Sequence, residues 1–253
     1  MNLACRLLLV LLLLGSGSPA LADGGLRIAT EGAYPPFNYM DELGEPAGFD
    51  VDIARALCEA MGRPCTVLVD AWGQLIPGLE AGRYDMVVAS MAETPERSRL
   101  VDFSHYYYRS RSSFVADPGR EFIQTPGGLA DKSLAAQAGT AQAGYLRRTY
   151  GATSKIVLTA TLAETLGLLE DGRVDAALVD SLAAFRFLQT DKGARFDFVG
   201  VPLPADDPSS TARIAVRKGN RELLDAIDSA IKTIRQDGTY DRINRKYFPF
   251  SIY

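Results

Sequence analysis

The chain has 253 residues, of which 47% are hydrophobic and 23% are charged. Its 27 Lys and Arg residues are outnumbered by 31 Asp and Glu residues, so the net charge is −4 at pH 7. An acidic chain of this kind is not expected to bind nucleic acid or an anionic membrane surface. Its length suffices for one large domain or for two small lobes with a sizeable core.

The amino terminus has the pattern of a secretory signal peptide over residues 1–22. The basic residue Arg6 precedes an apolar run from Leu7 to Leu14, and small residues lead to the end of the segment at Ala22. The run is too short to span a bilayer, and a retained membrane anchor is the weaker alternative. We therefore expect the mature chain to be exported.

Export bears on the cysteines. Removal of the signal peptide leaves Cys58 and Cys65, which are seven positions apart. An oxidising compartment favours a local disulfide between them over two free thiols. Two cysteines and the single histidine, His105, cannot form a metal site of the usual spacing, so we expect no metal ion.

The first part of the mature chain alternates strands and helices. We predict a strand over residues 26–29, a helix over about 51–61 with Asp50 as a plausible N-cap, and a strand over 67–69. A loop that leads into a helix follows over 72–79. This alternation favours an α/β fold with a mainly parallel sheet, in which ligands bind at the carboxyl ends of the strands.

One phrase occurs twice, as LEAGRYD over residues 79–85 and as LEDGRVD over residues 169–175. Each copy reads as a helix end, a glycine that can leave the helix with positive φ, and the start of a buried strand. The repeat predicts two similar lobes. Because both copies carry an aspartate at the same place, we interpret Asp85 and Asp175 as structural turn residues.

The second lobe and the carboxyl terminus follow the same pattern. We predict a strand over 134–136, a helix that opens at 139–142, a strand over 213–216 and a helix over about 221–237. The last helix has an apolar face formed by Leu223, Leu224, Ile227, Ala230, Ile231 and Ile234. If this tail returns to the first lobe, two crossing strands form a hinge.

An ordered set of motifs runs through the whole mature chain and resembles the periplasmic solute-binding proteins of amino-acid ABC transporters. Within that family it is similar to the group that binds lysine, arginine and ornithine, histidine, or opines. The motifs are EGAYPPF at 31–37, GFDVD at 48–52, the Cys58 and Cys65 spacing, LIPGL at 75–79, GRYD at 82–85, TPER at 94–97, VDFS at 101–104 and DGTY at 237–240.

The resemblance implies a type II periplasmic binding protein fold with two lobes joined by a two-strand hinge. Lobe 1 would contain residues 23–109 and 206–253, and lobe 2 would contain residues 110–205. It also implies a monomer in the periplasm that needs no cofactor. Such a protein captures a small cationic amino acid or a derivative and delivers it to an ABC permease in the inner membrane.

The resemblance assigns the two ends of an amino acid to different residues. Arg97 corresponds to the carboxylate clamp, aided by the backbone N–H groups of Ser90 and Ala141, because guanidinium binds carboxylate bidentately. The alternative for Arg97 is an exposed turn arginine paired with Glu93 or Glu96. Asp180 corresponds to the acceptor for the α-ammonium group, and it can also cap the helix that follows it.

Further residues correspond to the side-chain pocket. Tyr34 and Trp72 match an aromatic pair that sandwiches the ligand side chain, although half-buried core aromatics are the alternative. Glu31 matches the acid that faces a distal cation and would disfavour an acidic ligand. Gln142 and Gln74 are candidate polar lining residues.

The chain departs from the family pattern near the α-amine. Ala89 and Ala92 stand where relatives with basic ligands carry serine hydroxyls, and Glu93 replaces an apolar residue. Loss of the hydroxyl at lining residue 92 removes one hydrogen bond, on the order of 1 kcal/mol. We therefore include ligands with a substituted or absent α-amine, such as opines and guanidino compounds.

Two other functions remain open from the sequence. The same fold hosts exported cyclohexadienyl and arogenate dehydratase-like enzymes, and Glu31 or Glu93 could act as a general acid in such an enzyme. A ligand-sensing module is the third alternative. The acid in an aromatic pocket suits a basic ligand better than a dicarboxylic substrate, so a binding protein is the main hypothesis.

Overall fold

The computed structural model describes residues 25–253, so the signal peptide predicted for residues 1–22 lies outside the described range. The strands are β1 (Leu26–Thr30), β2 (Ala33–Tyr34), β3 (Asn38–Met40), β4 (Pro46–Ala47), β5 (Cys65–Val69), β6 (Met86–Met91), β7 (Val101–Arg109), β8 (Ser112–Ala116), β9 (Ser133–Gln137), β10 (Lys155–Thr159), β11 (Ala176–Asp180), β12 (Asp197–Val199) and β13 (Thr211–Arg217). The helices are α1 (Phe49–Ala60), α2 (Leu75–Glu80), α3 (Ala141–Tyr150), α4 (Leu162–Glu170), α5 (Ser181–Leu188), α6 (Arg221–Gln236) and α7 (Thr239–Tyr247).

Two five-stranded sheets organise the molecule. The first has the order β5-β1-β6-β13-β7, and the second has the order β10-β9-β11-β8-β12. In the first sheet only β13 runs against the other four strands, and in the second only β8 does so. The predicted α/β fold with mainly parallel sheets is confirmed. The chain passes between the sheets from Arg109 to Ser112 and returns between Val199 and Thr211.

The repeated phrase forms the same structure in both sheets. The Asp85 carboxylate accepts a hydrogen bond from the Arg27 backbone N–H at 2.9 Å, and the Asp85 N–H donates to the Arg27 carbonyl at 2.8 Å. Asp175 and Ser133 make the same two contacts, both at 2.8 Å. Each aspartate therefore ties the start of one strand to its neighbour, which confirms the structural interpretation of both residues.

The two sheets also share one strand register. Ile28 of β1 lies opposite Met86 of β6, and Leu134 of β9 lies opposite Ala176 of β11. Counting along the strands from these pairs gives equivalent positions at the carboxyl ends. The equivalent pairs are Glu31 with Gln137 and Ser90 with Asp180.

Helix α6 covers the first sheet with the apolar face that its sequence predicts. All six residues of that face are buried, and the helix packs on α1, α7 and β7. Full burial of a Leu or Ile side chain contributes about 1.5–3 kcal/mol. Such a face is sufficient to bind the carboxyl-terminal helix to the sheet formed largely by the amino-terminal half.

Helix α1 begins earlier than predicted. Its N-cap is Gly48, whose φ of 117° favours glycine, and Asp50 lies inside the first turn without capping the helix. The N-cap assignment of Asp50 was therefore wrong. At the other end, Cys58 forms the predicted disulfide with Cys65, with the Cα atoms 6.2 Å apart, and this bridge ties α1 to β5.

Across residues 25–253, no helix is both long enough and apolar enough to cross a membrane.

Candidate functional site

One cavity lies where the carboxyl ends of strands from the two sheets meet. It encloses about 490 Å³, including space open to solvent. Charged, polar and aromatic side chains converge on it, as is typical of a site for a small polar ligand. Its walls contain all nine residues that the sequence nominated for ligand binding: Glu31, Tyr34, Trp72, Ser90, Ala92, Arg97, Ala141, Gln142 and Asp180.

Arg97 lies in a 3₁₀ turn after β6 and is only 8% exposed. Its Nη1 donates to the Ala92 carbonyl at 2.5 Å, and its Nη2 donates to the carbonyl of Gly139, in the turn between β9 and α3, at 2.8 Å. The guanidinium also lies over the Trp72 ring at 5.1 Å from the centroid. Burial lowers the pKa of Arg97 to about 10, which leaves it charged at neutral pH.

The position of Arg97 argues against an exposed turn arginine. Among residues 25–253, no carboxylate forms a salt bridge with it, and Glu93 pairs with Arg213 instead, at 3.4 Å. A buried cation without an ionic partner is costly. An anionic group that entered the cavity would reduce that cost.

Asp180 ends β11 and is 5% exposed. Its Oδ1 accepts hydrogen bonds from the N–H groups of Leu182 at 2.9 Å and Ala183 at 3.1 Å, so it is the N-cap of α5. Burial raises the pKa of this carboxyl to about 6, against the opposing effects of the nearby Ser110 hydroxyl and of those two N–H groups. The predicted N-cap role is confirmed, and Oδ2 takes no part in the cap.

Glu31 follows β1 and is 7% exposed. Its Oε1 accepts a hydrogen bond of 2.5 Å from Nε2 of Gln137, which ends β9 in the other sheet. Burial raises the pKa of Glu31 to about 7; the hydrogen bond from Gln137 opposes this rise, and the nearby Asp50 carboxylate adds to it. The charge of Glu31 is therefore sensitive to any cation that enters the cavity.

Aromatic rings form part of the cavity wall. Tyr34 and Trp72 are half-buried, in keeping with rings that present one face to the cavity. Tyr108 of β7 also lines the cavity, and its ring stacks on Phe37 at 4.7 Å between centroids. Burial raises the pKa values of Tyr34 and Tyr108 well above 10, so both phenols stay neutral.

The amino terminus of α3 forms another part of the wall. Thr140 caps the helix by accepting a hydrogen bond from the Ala143 N–H at 3.1 Å. The N–H groups of Ala141 and Gln142 make no hydrogen bond within residues 25–253, and such free N–H groups attract anions. The Gln142 side chain donates to the Ser112 hydroxyl at 3.0 Å.

Ser90 lines the cavity, but its polar groups are engaged elsewhere. Its N–H donates to the Tyr107 hydroxyl at 2.9 Å, and its own hydroxyl donates to Asp50 at 2.8 Å. The predicted donation from the Ser90 N–H to a ligand carboxylate is therefore not available in this arrangement. Ser90 has a φ of 53°, a conformation that costs roughly 1–2 kcal/mol outside glycine and that these bonds support.

Asp50 is the centre of that network. It is fully buried and accepts hydrogen bonds from Asn38 at 2.7 Å, Tyr107 at 2.7 Å and Ser90. Burial raises its pKa to about 6, against the effect of these three donors. Asp50 supports the wall behind Ser90 without lining the cavity itself.

Two further nominated residues do not reach the cavity. Gln74 is exposed, and within the described chain only its backbone makes hydrogen bonds, with the N–H donating to the Ala71 carbonyl and the carbonyl accepting from the Tyr84 hydroxyl and Arg83. Glu93 accepts a hydrogen bond from Ser98 at 2.9 Å and lies on a separate surface depression next to Arg213. Both were wrong as cavity residues because they lie just outside the strand ends that form the wall.

Sequence reasoning missed Gln137. The rule that ligands bind at the carboxyl ends of strands would have found this residue, because the predicted strand over 134–136 ends directly before it. Tyr108, Thr211 and Ala212 of the cavity wall lie within strands and carried no such signal.

Comparison with known proteins identifies the family. The model of the bacterial extracellular solute-binding proteins, family 3, matches residues 26–250. The L-arginine-binding protein of Pseudomonas aeruginosa is 36% identical over 235 residues, which cover 92% of this chain and 91% of that protein. The lysine/arginine/ornithine-binding periplasmic protein of Escherichia coli is 32% identical over 249 residues, which cover 97% and 96%.

A solved structure supports the same assignment. An ancestral arginine-binding protein bound to arginine superimposes with a TM-score of 0.80 at 33% identity, covering 88% of this chain and 97% of that one. The fold predicted from the motifs is thereby confirmed. The chain belongs to the bacterial extracellular solute-binding proteins, family 3, and has their type II periplasmic binding protein fold.

Proposed function

We propose that this chain is the periplasmic binding component of an amino-acid ABC transporter and that it binds a small cationic amino acid or a related opine or guanidino compound. The observation that carries the proposal is the charge pattern of the cavity. Arg97 provides one buried cation, whereas Glu31 and Asp180 provide two buried acids. A ligand with one carboxylate and two cationic groups complements this pattern.

Each charged group has a role in the proposal. Arg97 and the free N–H groups at the start of α3 would bind the carboxylate of the ligand. Asp180 would accept a hydrogen bond from the α-ammonium group through Oδ2. Glu31 would face the distal cation, and the rings of Tyr34 and Trp72 would contact the chain between the two ends.

The ligand would bind more tightly to the closed form of the two lobes than to the open form, and this difference in binding free energy would drive closure. We propose residues 23–109 and 206–253 as lobe 1 and residues 110–205 as lobe 2, with the hinge where the chain passes between the sheets. Two hydrogen bonds that connect the sheets across the cavity, Arg97 to Gly139 and Gln137 to Glu31, support this division. Delivery to an inner-membrane permease rests on the family.

The dehydratase alternative is less well supported. Of the two acids it could use, Glu31 lines the cavity, but Glu93 is held by Arg213 and Ser98 outside it. The relatives compared above are named as binding proteins. A binding role that needs no catalytic step therefore accounts best for this cavity.

A thermal-shift screen of the mature chain tests the proposal. The panel contains basic, neutral and acidic amino acids, opines, polyamines and guanidino compounds. A ligand at 100-fold excess over its dissociation constant should stabilise the protein by about 2.7 kcal/mol. A response to acidic or neutral ligands alone would refute the role of Glu31, and turnover of prephenate-like acids would select the enzyme.

The variant Arg97→Ala tests the clamp, and we expect it to abolish detectable binding. Arg99→Ala is the matched control, because Arg99 lies in the same 3₁₀ turn but is exposed. We expect the control to bind as the wild type does. Retained affinity in Arg97→Ala, measured by isothermal titration calorimetry, would remove the clamp from the proposal.

A further inference from the structure

Gln137 makes the least expected contact in the cavity. Its side chain is 94% buried, since only 6% of the residue is exposed, and Nε2 donates both to Glu31 Oε1 at 2.5 Å and to the Ala160 carbonyl at 3.1 Å. Both partners are acceptors, which fixes which end of the amide is nitrogen. The two N–H bonds of this amide are therefore both used by the protein.

The Gln137 amide and the Glu31 carboxylate each have one oxygen that the described part of the protein leaves free. The Gln137 Oε1 and the Glu31 Oε2 accept no hydrogen bond within residues 25–253, and both residues line the cavity. Both groups are planar, and the short hydrogen bond between them holds them together. Because both residues line the cavity, a ligand at this end can reach two acceptor oxygens that residues 25–253 leave free, one on a carboxylate and one on an amide.

A distal guanidinium and a distal ammonium differ in how they can bind these two oxygens. A guanidinium is planar and presents five N–H donors in a fixed fork, so it can donate to two neighbouring acceptors at once and stack on the rings of Tyr34 and Trp72. An ammonium carries three N–H donors on one nitrogen, so it cannot span two acceptors as a planar fork does, and it has no flat face to stack on the rings. If it bound Glu31 alone, it would leave the Gln137 carbonyl without a partner in a closed cavity.

We propose that Gln137 is a specificity-determining residue that, together with Glu31, selects ligands with a distal guanidinium over ligands with a distal ammonium. This inference rests on the function proposed above and narrows its ligand class. Gln137 also positions Glu31 from the opposite sheet, so the selecting pair is complete only when the two sheets face each other across the cavity.

The test compares L-arginine with L-lysine and L-ornithine by isothermal titration calorimetry. We expect wild-type protein to bind arginine at least ~10-fold more tightly than lysine, which corresponds to about 1.4 kcal/mol. Gln137→Met keeps the length and apolar volume of the side chain but removes the amide. We expect it to reduce the arginine to lysine ratio to about one, chiefly by weakening arginine binding.

Gln74→Leu is the matched control, because it removes an exposed glutamine amide close to Trp72. It should keep the wild-type ratio. A wild-type protein that binds lysine as tightly as arginine would overturn the inference without a variant, and so would an unchanged ratio in Gln137→Met. If no cationic compound binds the wild-type protein, the proposed function itself fails, which is a different result.

Discussion

The affinity for a cationic ligand should rise with pH because of Glu31. Burial holds the pKa of this carboxyl at about 7. A cation bound beside the carboxylate favours its charged form and lowers the pKa. The free protein must therefore release a proton before or during binding whenever the pH is below about 7.

The size of the effect follows from the charged fraction of Glu31. With a pKa of about 7, about 3% of the free protein has an ionised Glu31 at about pH 5.5, and about 90% has it at about pH 8. Binding that requires the ionised form should strengthen by about 30-fold over this range. Asp180, with a pKa of about 6, adds about 4-fold over the same range.

Titration calorimetry with L-arginine checks this prediction, because its guanidinium stays charged throughout. Buffers that differ in ionisation enthalpy should reveal net proton release near neutral pH. Glu31→Gln removes the titrating group and should bind more weakly, with a pH dependence of only about 4-fold from Asp180. An affinity that is flat for the wild-type protein, or equally steep in Glu31→Gln, would refute the reasoning.

Three other predictions separate binding from stability. Asp180→Asn keeps an N-cap residue of similar quality for α5 but removes the charge, so affinity should fall by about 10–100-fold while the unfolding midpoint stays close to that of the wild type. Asn220→Ala, at the N-cap of α6, should do the reverse, losing about 1 kcal/mol of stability at unchanged affinity. Replacing Cys58 and Cys65 by Ala should cost about 2.5 kcal/mol in urea unfolding, because the bridge closes a short loop. Its ligand affinity should match the wild type, since the bridge lies outside the cavity, and a parallel loss of affinity would contradict this.

Local sequence patterns predicted the helices, the turns and their buried faces well. The six-residue apolar face of α6 is buried as its spacing requires, because helical periodicity alone decides which side meets the core. The repeated phrase located two equivalent turns for a similar reason. Its glycines and aspartates act over a few residues, so no distant contact is needed to interpret them.

Contacts between distant residues were harder to foresee. Asp50 stands where an N-cap is expected, yet Gly48 starts the helix, and the Asp50 side chain turns to Asn38, Tyr107 and Ser90 instead. The left-handed backbone of Ser90 is likewise invisible in a sequence of ordinary residues. Both outcomes depend on groups that are close in space and 12 to 57 positions apart in the chain.

Because the two sheets share one register, the residues that fix the strand pairing can be distinguished from the residues that the strand ends present. Asp85 and Asp175 hold the strand starts alike, whereas the equivalent strand ends differ: an acid at 31 corresponds to an amide at 137, and a hydroxyl at 90 corresponds to an acid at 180. A small library at positions 31 and 137 would therefore sample new ligand chemistries, whereas Ser90 and Asp180 also support the wall and the start of α5. The aspartates that fix the strand starts are thus separate from the side chains at the strand ends, so that ligand preference can change while the strand pairing is kept.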